Sequence, residues 1–380
     1  MTNTRLRFTA LSLALSLPLP LPLMAQTAPA KLTLPLKQKG FHIYSMELSA
    51  NGEQLCIAGT DSDDLGASSG RLLLIDRAHG AVLWHKSFAA PDGNAAIYPL
   101  QCRIGSDQVY LLAHAVTSNS PPAAQTQTYV YRFDDKNGQM AYQPLRLAAR
   151  NVYGYALDSN TGTVKVSGYL KDEDDQFEYY ATYTATLNAT LQPQGEPLVR
   201  KRGAYIGFTA ARIVGDSTYV TGLFAPAKLS KNDVTEDIAA SRLRLGGAYV
   251  WSVHPPFGTR SGVHAGVAAD GGLYALRYSD RTTSLLAVTA EGKPLPARSY
   301  ASAYCATSAI ASFARGVLAV REACSGKGHA LLAIDVANGK ETAVNWVPDE
   351  PLYVASVGDQ WSVVAKDKDG KLALYSGAAH

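Results

Sequence analysis

Seven positions along the chain carry a small or apolar residue followed at once by a ring: Ile43-Tyr44, Ile97-Tyr98, Val152-Tyr153, Ala204-Tyr205, Val263-His264, Ala303-Tyr304 and Leu352-Tyr353. Tyrosine offers a flat apolar face and a hydroxyl, so such rings suit a binding surface. They equally suit packing between neighbouring sheets, and the sequence leaves both readings open. Cys56, Cys102, Cys305 and Cys324 form an even set whose spacing matches no zinc pattern. His42, His79, His85, His114, His254, His264, His329 and His380 are scattered, with no H-E-x-x-H. There is no G-x-S-x-G elbow, S-x-x-K pair or Walker loop. No catalytic residue, metal-ligand set or cofactor is therefore assigned.

The charged stretches carry less chemistry. DSDD (61–64), KDEDD (171–175) and KDKDG (366–370) place carboxylates in loops, but none has the calcium-loop spacing, and they read as solvated turns. VRKRG (199–203), with Arg260, Arg277 and Arg281, reads as a soluble basic face. Asn188-Ala189-Thr190 is a glycosylation sequon, without meaning in a bacterial host.

The elements that must position these residues come from a repeat. LLLIDRAHGAVLW (72–84) and LLAIDVANGKETAVNW (331–346) share an apolar run, Asp, three residues, Gly and a later Trp. YVYRFDDKNG (129–138) is a third copy up to the glycine. Each is a strand entering a tight turn, where Asp bonds the turn backbone and Gly accepts a positive φ. A second signature is an alternating strand, a Gly-containing turn and another strand. Its glycines are Gly52, Gly105, Gly162, Gly215, Gly271, Gly316 and Gly358. Hairpins at that period, with two further strands after most of them, predict four-stranded units.

The fold class expected is all-β: a seven-bladed β-propeller. Its blades are expected at 41–88, 92–146, 151–200, 203–256, 261–299, 301–348 and 349–379. The last blade lacks one strand, and KLTLPLK (31–37) is expected to complete it, with Pro35 tolerated on an outermost strand. The LLLIDRAHGAVLW and LLAIDVANG segments resemble repeats of PQQ-type propellers. LSANGEQLCIAG and VAADGGLYAL resemble the YVTN-type repeat. These families include quinoprotein dehydrogenases, lactonases and non-enzymatic envelope scaffolds, so the resemblance implies a blade and no particular reaction. The adjacent-cysteine feature of many quinoprotein dehydrogenases is absent. A lactonase-like site needs inward carboxylates and amides around a metal, and only Glu47, Gln101 and Asp158 offer themselves.

Within this layout Tyr44, Tyr98, Tyr153, Tyr205, His264, Tyr304 and Tyr353 open the innermost strands and form a circle at one channel mouth. Cys305 and Cys324 face each other across a hairpin centred between Ala314 and Arg315. Cys56 and Cys102 sit near the same end of adjacent blades, so two disulfides are expected, with free buried thiols as the alternative. The insert APAKLSKNDVTEDIAASR (225–242) is expected to be a long loop on the mouth face.

Residues 1–25 have the layout of a secretory signal peptide: Arg5 and Arg7, an apolar run from Phe8 to Met24, then small residues. Their removal leaves 33 basic and 32 acidic residues, which lacks the footprint of a nucleic-acid binder. No stretch has the composition of a transmembrane helix. The expectation is a periplasmic or secreted monomer. It acts as a non-catalytic platform for a protein or cell-envelope ligand, of which an inhibitor or immunity partner is one version. The alternative is a lactonase-like or lyase-like enzyme with a metal at the channel mouth.

Overall fold

A computed structural model describes residues 30–37, 40–62, 68–117, 126–141, 145–147, 152–160, 162–173, 178–200, 203–225, 238–245, 248–253, 263–279, 282–313, 316–326 and 328–378. The expected leader (1–25) and most of the 225–242 insert lie outside them.

The described residues are almost all β. Strand β1 (Ala30–Lys37) stands apart at the start. Group I follows as β2 (Phe41–Leu48), β3 (Gln54–Ser62), β4 (Ser68–Asp76) and β5 (Ala81–Phe88). Group II is β6 (Ala96–Ile104), β7 (Gln108–Val116), β8 (Thr126–Asp134) and β9 (Leu145–Arg146). Group III is β10 (Val152–Asn160), β11 (Thr163–Glu173), β12 (Glu178–Asn188) and β13 (Leu198–Arg200). Group IV is β14 (Ala204–Val214), β15 (Ser217–Ala225), β16 (Ile238–Arg244) and β17 (Tyr249–Val253). Group V is β18 (Val263–Val267), β19 (Leu273–Ser279), β20 (Thr282–Val288) and β21 (Arg298–Ala301). Group VI is β22 (Tyr304–Phe313), β23 (Gly316–Ala323), β24 (His329–Asp335) and β25 (Glu341–Val347). Group VII contains β26 (Glu350–Val357), β27 (Gln360–Lys366) and β28 (Lys371–Ala378). Every group is an antiparallel meander, and one parallel bridge, Ser68 to Ala96, joins groups I and II into a larger sheet.

Group VII takes its fourth strand from the start of the chain. β1 runs antiparallel to β28, with Leu32 opposite Leu374 and Thr33 opposite Ala373. Leu34 is buried among Phe41, Leu55, Leu372 and Leu374. Lys31 donates to Asp349 at 2.7 Å, and the Tyr375 hydroxyl donates to the same carboxylate oxygen at 2.6 Å. Desolvation alone would raise the Asp349 carboxyl, but the bonds from Lys31 and Tyr375 outweigh it and hold it below its ordinary value.

Burial follows position within a group. The second strand β7 is buried along most of its length, as expected of a strand covered on both faces. The fourth strand β13 is exposed throughout. First strands pack on one another in cyclic order: β2 on β6, β6 on β10, then β14, β18, β22 and β26, and β26 on β2.

The Asp-x3-Gly repeat explains how groups interlock. Each such turn joins a third strand to a fourth. Asp134 Oδ1 accepts from the backbone N–H groups of Lys136 and Asn137, and Gly138 closes the turn at φ 64°. Trp84, on the fourth strand of group I, lies over Gly138, where a Cβ would fall 2.5 Å from the indole. Its Nε1–H donates to the Asp135 carbonyl at 2.6 Å. Only glycine permits both the positive φ and this approach. Trp251 repeats the contact from group IV to group V, over Gly292 with Nε1–H donating to Ala290 O at 3.0 Å. Leu32 of β1 covers Gly80 of group I in the same way.

Trp346 looks like the partner of Trp84 in the sequence, yet it is 44% exposed and rests on Gly328 of its own group. The reason is register. Trp84 lies eight residues after Asp76 and pairs opposite Leu74, whereas Trp346 lies eleven residues after Asp335 and pairs opposite Ala330, farther along its strand. Ala343 stands where the spacing of group I puts Trp84.

The seam between groups VII and I has its own latch. Arg77, in the Asp76–Gly80 turn, donates to Gly52 O at 3.1 Å, Gln360 Oε1 at 2.5 Å and Gly377 O at 2.7 Å.

Candidate functional site

The seven ring residues all lie at or near the start of a first strand: Tyr44 on β2, Tyr98 on β6, Tyr153 on β10, Tyr205 on β14, His264 on β18, Tyr304 on β22 and Tyr353 on β26. Tyr44 is 39% exposed, and its ring meets Tyr98 edge-to-face at 6.1 Å. These two form an aromatic step across groups I and II.

Tyr153 behaves differently. It stacks on Tyr169 of its own sheet at 4.6 Å and takes the edge of His114 from group II at 5.7 Å. His114 Nε2–H donates to Gly154 O at 2.9 Å, which assigns the tautomer because a carbonyl can only accept. Burial pushes His114 down to about 4, with the Gly154 bond acting the other way, so the ring is neutral at pH 7. Burial also pushes up the phenol of Tyr353. His264 is half-buried, and burial lowers it too. The side chain of Tyr205 lies outside the described residues, and only its backbone pairing with Phe224 is seen.

At the other end of the first strands lies a belt of charge. Glu47 of group I is ion-paired with Arg103 of group II. Arg103 Nε–H donates onward to Leu157 O of group III at 2.8 Å, and Gln101 Oε1 accepts from Leu157 N–H at 2.6 Å. Asp158 of group III sits within reach of both Arg103 and Arg212 of group IV. Burial lowers Arg103 to about 10, helped by the like charge of Arg212 and opposed by Asp158, so it stays charged at pH 7. Beyond group IV the belt turns neutral. The Tyr274 hydroxyl donates to Ser312 Oγ at 3.0 Å, Ser312 donates to Val267 O, and Ser356 donates to Ser312 O.

This belt tests the metal-centre expectation on its donor set. Glu47, Gln101 and Asp158 do lie on neighbouring first strands, but Glu47 is paired with Arg103, Gln101 accepts a backbone N–H, and Asp158 interacts electrostatically with Arg103 and Arg212. Among the described residues no three His, Cys, Asp or Glu side chains group as metal ligands. Sequence reasoning singled out the carboxylates and missed Arg103 and Arg212. The signal was available: each precedes a turn glycine by two or three residues on a first strand. Of the acidic loops, Asp61 is paired with Arg71 at 2.7 Å, and Asp367 accepts from Asp369 N–H and Lys371 N–H within its own turn.

Both cysteine pairs are bonded. Cys56–Cys102 joins groups I and II with both residues fully buried. Cys305–Cys324 spans the hairpin of group VI at its Tyr304 end, with a Cα separation of 5.0 Å. The hairpin is not the simple ladder expected. Phe313 faces Gly316, but irregularities between Tyr304 and Thr307 and between Thr307 and Ala309 shift the register, so Tyr304 faces Ala323.

No protein-family model matches the chain, and no curated protein matches it in sequence. Solved structures match in shape. An acylaminoacyl peptidase from Pyrococcus horikoshii aligns with 91% of this chain at 10% identity and a TM-score of 0.50. The chain spans 53% of that protein. The β-propeller domain of the Trilobed protease from Pyrococcus furiosus aligns over 80% of this chain and 98% of its own, at 10% identity and a TM-score of 0.39. A GH43_1 enzyme from Xanthomonas citri complexed with xylose aligns over 70% and 92%, at 12% identity and a TM-score of 0.40. At such identities the likeness concerns fold alone. No helix among the described residues is long and apolar enough to cross a membrane.

Proposed function

We propose that the chain is an exported seven-bladed β-propeller, closed by β1, that acts as a non-catalytic platform binding a protein or cell-envelope ligand at the Tyr44–Tyr98 mouth. The cyclic contact order of the first strands and the β1–β28 pairing support the closed ring. Two disulfides, one fully buried, support an oxidising compartment. The observation that carries the binding reading is the contrast along the first strands. Carboxylates inside are matched by guanidinium groups and backbone donors, whereas Tyr44 stands exposed against Tyr98 at the mouth. Exposed tyrosine supplies contact area at low entropic cost and carries a hydroxyl for orientation.

The stacking of Tyr153 on Tyr169 and His114 supports centring the proposed platform on Tyr44 and Tyr98. The test is capture of a single envelope component by the purified mature protein, repeated with Tyr44→Ala. Loss of capture with a melting temperature lowered by only about 1–2 °C supports the platform. Unchanged capture contradicts it. Stoichiometric divalent metal in the purified protein would favour the lactonase-like or lyase-like enzyme instead.

A further inference from the structure

The two disulfides differ in access. Cys56 and Cys102 are wholly buried between groups I and II. Cys324 is exposed and Cys305 half-buried, at the mouth end of group VI. The surroundings of Cys305 are polar. The Tyr278 hydroxyl lies 3.4 Å from its sulfur. The buried Arg321 guanidinium donates through Nη2 to the carbonyls of Tyr304 and Cys305, both at 3.0 Å. Its Nη1 is held by Glu341 at 2.6 Å and Ser302 at 3.1 Å, and its charge lies 5.5 Å from the Tyr278 ring centre.

We propose that Cys305–Cys324 is a dithiol–disulfide exchange site that controls the mouth turn Ala323–Gly328. A thiolate of an external dithiol attacks the exposed Cys324 sulfur. The Cys324–Cys305 bond breaks, a mixed disulfide forms on Cys324, and Cys305 leaves as a thiolate. Tyr278 O–H and the neighbouring Arg321 charge stabilise that leaving group. The second thiolate of the dithiol then attacks its own sulfur in the mixed disulfide and releases Cys324. The dithiol ends as a disulfide, the protein gains two electrons, and the two cysteine thiolates take up the two protons the dithiol gave.

The two sides of the broken bond then behave differently. Tyr304 and Cys305 remain tied through their carbonyls to Arg321. The turn across from them keeps the bonds Ala323 N–H to Gly328 O at 3.1 Å and Gly326 N–H to Ala323 O at 2.8 Å. Without the disulfide nothing covalent fixes that turn beside Tyr304. Reduction therefore loosens residues 323–328 and leaves Tyr304 in place.

The experiment is native-state labelling of the folded protein. Dithiothreitol at low concentration is followed by iodoacetamide, peptide mapping and hydrogen exchange. Cys305 and Cys324 should label about a thousandfold faster than Cys56 and Cys102, whose sulfurs become reachable only when two sheets part. Exchange should quicken in 323–328 and stay unchanged at Tyr304 and Cys305. Equal labelling of both pairs overturns the proposal. So does selective reduction with no change in exchange across 323–328. Tyr278→Phe, which keeps the ring and removes the hydroxyl, should slow reduction of Cys305–Cys324 several-fold, and an unchanged rate removes Tyr278 from the mechanism.

Discussion

Replacing Trp84 by alanine tests the interlock between groups. The indole is buried, lies against Gly138, stacks with Phe133 at 6.2 Å and donates to Asp135 O. Truncating a buried tryptophan costs about 3–5 kcal/mol, because the cavity over a glycine turn cannot be refilled. Unfolding entropy near 2.1 cal/mol/K per residue, over roughly 350 residues, is about 0.7 kcal/mol/K. The expected fall in melting temperature is therefore about 4–7 °C. Trp346→Ala is the internal control. That indole is 44% exposed and rests on Gly328 of its own group, so its loss should cost about 1–2 kcal/mol and lower the midpoint by about 1–3 °C. Differential scanning calorimetry of both variants decides. Equal losses, or a larger loss at Trp346, would refute the docking argument.

Two further predictions concern buried polar groups. Arg103→Met leaves Glu47 unpaired and Leu157 O without its guanidinium donor, and should cost about 3–5 kcal/mol in urea denaturation. The double variant Arg103→Met with Glu47→Leu should recover most of that loss, and no recovery would contradict the ion pair. His114 is neutral when folded, with its value near 4, but takes a proton near 6.5 when unfolded. Below pH 6.5 the unfolded chain binds more protons, so stability falls as pH drops from about 6.5 to about 4, by at most roughly 3 kcal/mol. His114→Gln should flatten that part of the stability profile measured by denaturation at each pH, and an unaltered slope would place the acid sensitivity elsewhere.

Short-range patterns were readable because they are local chemistry. Period-two alternation and the Gly52, Gly162, Gly215, Gly271 and Gly358 turns, all at positive φ, mark hairpins without reference to the rest of the chain. Gly105 and Gly316 do not adopt positive φ, and Gly316 opens β23 rather than closing the turn. The fate of each tryptophan turns on spacing: Trp84 lies eight residues after Asp76 and Trp346 eleven after Asp335, which moves the second indole to another rung of its sheet. The charge belt was half legible. Glu47, Arg103, Asp158 and Arg212 precede their turn glycines by five, two, four and three residues, so they fall in no common column of the repeat. The Cys305–Cys324 pairing was reached from hairpin symmetry, although irregularities near Tyr304 shift that register. The different surroundings of these tyrosines, with Tyr153 stacked and Tyr44 exposed, depend on His114 and Tyr169 from second strands, which no first-strand motif names.

The proposed closed ring depends on β1 pairing with β28. Amide hydrogen exchange across Lys31–Leu34 addresses that directly. A closed ring predicts protection matching that of β28, with exchange slowed about a thousandfold or more relative to a free peptide. Exchange at the free-peptide rate, with β28 still protected, would contradict it.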